Sequence, residues 1–198
     1  RRRGKVSERL THRNSDTPSV FESLIEDDWH LERQGSNWIV REHNLSSTNS
    51  VLHVFGAQAI GFSLDQQGRA PWPFMKGLKG MHRVCDAIIV AHLDGNEYVI
   101  AIEMKSSNTG GANKQIRSAR VFVQWLLDLL KLNDHWKDTW RFCGVISSTP
   151  RRQIRKGTTR RAKEPLEVVS GSEYPVVHLK NRTRLNLHDL HNRLVAQT

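Results

Sequence analysis

Residues 85–105, CDAIIVAHLDGNEYVIAIEMK, hold two apolar runs with charged residues at their far ends: Asp86 at the start of the first, Glu103 and Lys105 at the close of the second. Asp94-Gly95 between them is a two-residue hairpin signal, and a two-residue turn fixes which residues oppose each other. Leu93 then faces Asn96, Ile89 faces Ile100, and Asp86 faces Glu103. Directly opposed residues carry their Cβ atoms about 4.5–5.5 Å apart on one face of the sheet. Two ionised carboxylates at that spacing repel, and a divalent cation between them removes the repulsion; hard oxygen donors suit Mg²⁺ or Mn²⁺. Lys105 stands two residues beyond Glu103, so it shares that face. Two acids and an ammonium on one patch suit hydrolysis of a phosphate ester, in which a cation polarises the phosphate and the lysine holds or activates water. The simpler alternative is an ordinary same-face Glu103–Lys105 ion pair, with Asp86 exposed at a strand start.

Several elements must hold this patch in place. Thr17-Pro18-Ser19 starts a helix by a cap residue followed by Pro, and Ser19 with Glu22 offers a capping box one register later. The pattern of Val20, Phe21, Leu24 and Ile25 predicts that this helix runs on to Gly35. Strands are expected over 37–41, 51–55 and 60–64, and a Gly/Pro-broken loop over 68–80. After the hairpin, a long helix is expected from about Ala112 to Leu132, since Ile116, Ala119, Val123, Leu126, Leu127 and Leu130 share a face. Residues 140–147 read as a buried strand, and 166–169 and 175–179 as further strands. Asn186 caps a last amphipathic helix. The order predicts one mixed α/β domain around a central sheet: a basic tail over 1–16 and a domain over 17–198, made of a core over about 17–148, a basic loop over 150–165 and C-terminal strands and helix over 166–198.

The formal charge is +10 in 198 residues. Residues 1–13 contribute +5 and residues 151–164 contribute +6, which leaves −1 for the rest. A basic tail and a basic loop on a nearly neutral body attract a polyanion, and nucleic acid is the expected one. Arg151, Arg152, Arg155, Lys156, Arg160 and Arg161 would bind its backbone, with Lys76 and Lys79 beside Trp72 as further contacts. An anionic membrane surface is the rival, but the basic stretch is loop-like and lacks an amphipathic helical pattern. No apolar run is long enough to span a bilayer. RRRGK at the N-terminus is followed by no apolar segment and reads as a trimmed end without a signal peptide. Cys85 and Cys143 lie within apolar runs and read as buried free thiols of a reducing compartment, which makes the expected location cytoplasmic. The ten histidines show no helical zinc spacing; His188 and His191 are expected on a solvated helix face. His82 is within reach of a phosphate held near Asp86. Trp72 either stacks on a base or packs under its own loop.

With these residues in hand, the chain resembles the PD-(D/E)XK nuclease superfamily. The matching residues are Asp86 in RVCDAIIV and Glu103-Met104-Lys105 in AIEMKSS, over about residues 17–148. Cys85 stands where the motif has Pro. The resemblance implies an αβββαβ restriction-endonuclease-like core with the sheet flanked by helices. It also implies a Mg²⁺- or Mn²⁺-dependent endonuclease acting on DNA in restriction, phage defence, repair or recombination. It adds the backbone carbonyl of Met104 as a metal ligand, an acid from the first helix (Glu22, or Glu26 one turn on), and Gln115 beside the site. Two alternatives keep the fold without the chemistry: a nucleic-acid-binding module, and an interaction subunit whose wide apolar helix pairs in a homodimer.

Overall fold

The computed structural model describes residues 17–42, 51–105, 110–136, 139–148, 166–169 and 173–196. The basic tail and the Arg-rich segment, with Arg151, Arg152, Arg155, Lys156, Arg160 and Arg161, lie outside the described residues. The chain forms α1 (Thr17–Leu24), a 3₁₀ turn (Asp27–Trp29), β1 (Glu32–Gln34), β2 (Asn37–Arg41), β3 (Val51–Phe55) and β4 (Gln58–Phe62). It continues with β5 (Ala87–Leu93), β6 (Asn96–Lys105), α2 (Ala112–Leu132), β7 (Trp140–Ser148), β8 (Glu167–Val169), β9 (Val176–Lys180), β10 (Arg184–Asn186) and α3 (Leu187–Val195). This is an α/β architecture with two mixed sheets instead of the one central sheet expected.

The larger sheet has six strands in the order β4-β5-β6-β7-β9-β8. β4, β5 and β6 form an antiparallel meander; β7 adds parallel to β6, and β9 parallel to β7. The crossover from β6 to β7 is α2, as a parallel connection requires. Ile116, Ala119, Val123, Leu127 and Leu130 line its buried side. β5 and β6 are buried along nearly their whole length, which explains their continuous apolar runs. The second sheet has the order β1-β2-β3-β10, with β10 parallel to β3.

The first helix is much shorter than its periodicity suggests. It ends at Leu24, and three successive acids, Glu26, Asp27 and Asp28, occupy exposed positions at the following 3₁₀ turn. Gly35, at φ +60°, is the corner of a β1–β2 hairpin, not a helix stop. A cross-strand Arg41–Glu32 ion pair of 2.7 Å and Arg33 stacked on Trp38 hold a strand with no apolar residue of its own. The Thr17 hydroxyl accepts from Trp136 Nε1 at 2.9 Å, tying α1 to the chain beyond α2. Asn186 does cap α3, its Oδ1 accepting the His188 N–H at 2.9 Å. His191 departs from the expected solvated face: it is buried, with Nδ1 3.0 Å from the Tyr98 hydroxyl and Nε2 3.4 Å from Asp94. Both cysteines are buried and free. Among the described residues no helix is long and apolar enough to cross a membrane.

Candidate active site

The hairpin that carries the acids is set by its turn. Asp94 and Gly95 both adopt positive φ, +47° and +75°, the conformation of a two-residue turn that follows strand twist. The resulting register pairs Leu93 with Asn96, Ile89 with Ile100 and Ala87 with Ile102. Asp86 is the next residue out, at the end of β6 that carries Glu103 and Lys105.

Asp86 is 7% exposed and Glu103 1% exposed. Met104 donates its backbone N–H to Asp86 Oδ2, which holds the Asp86 carboxylate against β6. Glu103 Oε1 forms an ion pair with Lys105 Nζ. Glu103 Oε2 is buried and has no hydrogen-bond partner among the described residues. Lys105 Nζ also donates to Gln115 Oε1 at 3.1 Å, while Gln115 Nε2 donates to the Val84 carbonyl at 2.9 Å. Gln115, in the first turn of α2, therefore connects the lysine to the backbone two residues before Asp86. A polar side chain bonded on both sides in this way has little freedom left, so the Lys105 ammonium is fixed in position.

Burial first, and then the neighbouring Glu103 charge, push the Asp86 carboxyl up to about 8. Burial likewise pushes Glu103 up to about 7, opposed by its bond to Lys105. Two acids that resist ionisation together retain a proton near neutral pH. The same two acids, with burial as the larger cause, raise the Cys85 thiol as well, so Cys85 is no nucleophile.

A third acid acts here that the sequence reading did not name. Asp65 raises both Asp86 and Glu103 through its charge. It lies just past the end of β4, the strand paired with β5 on the side away from β6, in a turn where its N–H bonds Ser63 Oγ at 3.1 Å. Glu22 and Glu26, the expected first-helix acids, are exposed, and neither is among the influences on the pair. A lone Asp in a polar turn carries no motif, and only the β4–β5 pairing reveals it.

Lys76 and Lys79 are exposed in the segment that leads into Val84 and Asp86. Trp72 packs under its own loop: Nε1 donates to the Met81 carbonyl at 3.1 Å, and its ring lies 4.9 Å from that of Phe122 on α2. His82 Nε2 is buried without a partner among the described residues.

The donor set fits a hard divalent cation. An orphaned carboxylate oxygen on Glu103 and the Asp86 oxygen not taken by Met104 are the available anionic ligands. Among the described residues no group of three or more His, Cys, Asp or Glu side chains assembles as a metal site. An ion here would rest on two carboxylates and solvent, an open coordination suited to Mg²⁺. No family model, no curated protein and no solved structure matches this chain.

Proposed function

We infer that this chain is a metal-dependent nuclease that hydrolyses phosphodiester bonds in DNA, built on a restriction-endonuclease-like core. One observation carries the reading: two buried, facing carboxylates at the end of a hairpin, one with an unpartnered oxygen, beside a lysine fixed by both an acid and an amide. A purely structural role gives no reason to bury such a pair, because an uncompensated carboxylate is costly in the interior. The run α1, β4, β5, β6, α2, β7 follows the αβββαβ order that the Asp86 and Glu103-Met104-Lys105 resemblance implies, with β1 to β3 inserted after α1.

Asp86, Glu103 and the Met104 carbonyl would hold Mg²⁺ or Mn²⁺. A bound cation supplies Lewis-acid stabilisation of charge developing on the phosphate and the leaving oxygen. Asp86 is oriented for its part by the Met104 N–H. The Lys105 ammonium has three N–H donors; among the described residues Glu103 and Gln115 engage two, which leaves the third for a water or a phosphate oxygen. Gln115 keeps Lys105 at the strand end, so the water it holds is delivered from a fixed direction. The excess of positive charge supplies affinity for the substrate backbone that falls with salt.

The test is incubation with supercoiled plasmid in Mg²⁺, with and without EDTA, for wild type, Asp86→Asn and Lys105→Met. Cleavage that needs the cation and both side chains supports the reading. DNA retardation without cleavage, unchanged by Asp86→Asn, would replace it with a binding module.

A further inference from the structure

A cavity lies at the opposite end of β6 from the carboxylates. It encloses about 420 Å³, within the range of small-molecule sites, and is lined by Arg120, Gln124, Trp140, Arg141, Phe142 and Tyr174 among others. The β6–β7 register sets Trp140 beside Glu97 and Phe142 beside Val99, whereas Glu103 lies beside Ile146. Six residues of strand separate the two places, about 20 Å at 3.3 Å per residue, so the cavity belongs to no part of the carboxylate site.

Its walls are aromatic and its rim is cationic. Phe142 stands edge-on to Trp140 at 6.0 Å and to Tyr174 at 4.8 Å, with interplanar angles of 87° and 84°. The Arg120 guanidinium lies 5.1 Å over the Tyr174 ring and is held there by Glu173 at 2.6 Å. Glu173 also meets Arg117 at 3.6 Å, so the one acid among the described rim residues is shared between two arginines. Arg141 alternates with Trp140 and Phe142 along β7 and so projects from the other face of the strand. It borders the cavity at the edge of β7 that is not paired with β9 before Gly144, is exposed, and has no acidic partner among the described residues. A cationic ligand would meet two guanidinium groups. A purely apolar ligand would cover Arg141 without pairing it, which costs desolvation. A flat aromatic ring bearing an anion uses every wall: the rings and the Arg120 plane stack on it, Arg141 takes its charge, and Gln124 offers an amide to its edge.

We propose that this cavity binds a nucleotide, with the base against Trp140, Phe142 and Tyr174 and the phosphate at Arg141. The base comes either from a free mononucleotide or from one unpaired residue of a nucleic-acid strand. The proposal stands apart from the nuclease reading, since it uses none of the residues assigned to hydrolysis.

Calorimetric titration of the full chain decides it, with deoxyadenosine monophosphate, inorganic phosphate and single-stranded oligodeoxyadenylate as the probes. The mononucleotide is expected to bind saturably, and phosphate alone at least about tenfold more weakly, because the stacking part of the site is not used. Arg141→Ala, a change at an exposed position, is expected to weaken the mononucleotide about tenfold or more, the worth of a charge-assisted hydrogen bond. Trp140→Leu should weaken it too, and Asp86→Asn should leave it unchanged. An oligonucleotide that binds more tightly than the mononucleotide and loses affinity in Arg141→Ala identifies a strand as the source. An oligonucleotide indifferent to Arg141, with the mononucleotide sensitive, identifies a free nucleotide. Absence of mononucleotide and oligonucleotide binding, or affinities for both unaltered in Arg141→Ala, overturns the proposal, and the latter does so even where Trp140→Leu fails to fold. Failure here leaves plasmid cleavage untouched, and loss of cleavage in Asp86→Asn leaves this site untouched.

Discussion

The backbone N–H of Met104 donates to Oδ2 of Asp86, so the strand that carries Glu103 and Lys105 also orients the acid opposite them. One oxygen of Asp86 is thereby committed to structure and the other left for a ligand. Asp86→Asn can keep the bond through its amide oxygen while removing the charge. We expect this variant to fold, to melt higher than wild type at about pH 8 without metal, and to lose cation-dependent cleavage. Thermal melts and plasmid cleavage on the same preparation check it; a variant that melts lower at that pH would show that the charge is not a burden on the fold.

The buried pair makes stability depend on pH in a definite direction. Asp86 and Glu103 are held up to about 8 and about 7, above the values of about 3.9 and 4.3 expected in an unfolded chain. Between those limits the native state binds more protons than the unfolded state, so stability falls as pH rises through this window. Without metal, the melting temperature should decline from about pH 5 to about pH 9, with the decline flattened in Asp86→Asn. Because a cation binds the ionised pair, Mg²⁺ should raise the melting temperature more at the alkaline end than at the acid end.

Asp65 bears on the same equilibrium from the neighbouring strand. Its charge raises both carboxyls, so Asp65→Asn should move the pH-dependent decline toward lower pH and weaken Mg²⁺ binding. Melts across pH with and without Mg²⁺ measure both effects. An unshifted decline would exclude Asp65 from the site.

Gln115 touches Lys105 and Val84 but neither carboxylate, and is a positioning residue. Gln115→Leu should lower kcat about 10–100-fold, the usual loss when an outer partner of a site is removed, with little change in KM. Gln115→Glu, which keeps an acceptor for Lys105, should recover part of the rate and shift its pH profile. Equal losses in both variants would mean that the contact with Val84, not the one with Lys105, is what matters.

Much of this site was legible because a two-residue Asp-Gly turn leaves one register open. Once residues 94 and 95 are the corner, the opposition of Asp86 and Glu103 follows without any knowledge of the rest of the fold. The long helix was legible for a similar reason: its apolar spacing holds over the whole of Ala112–Leu132. Elements defined by distant partners were not. β1 is Glu-Arg-Gln, a strand with no apolar alternation, and β10 is three residues whose pairing with β3 joins Arg184 to His53. His191 reads as solvated because its helix is polar around it, yet Tyr98 from β6 and Asp94 from the hairpin turn enclose it. Asp65 and the aromatic cavity were missed on the same ground, since each is assembled from segments far apart in the chain.

Gly144 gives a stability prediction that also reaches the site. It sits in β7 beside Ala101, and a Cβ there would lie 2.8 Å from Ile116 Cγ2 and 3.3 Å from Val176 Cγ2. α2 is therefore seated directly on the glycine. Gly144→Ala must push Ile116, and with it the turn that carries Gln115, away from the sheet. Overpacking of this kind costs about 1–3 kcal/mol, which for a chain of this size lowers the melting temperature by about 2–4 °C per kcal/mol. The displaced Gln115 would hold Lys105 less well, so cleavage should fall along with stability. Ile116→Ala alone leaves a cavity and is destabilising for the opposite reason. Combined, the small residue makes room for the added methyl, so the double variant should melt higher than the sum of the two losses allows. Strict additivity would mean that the helix does not rest on Gly144 through Ile116.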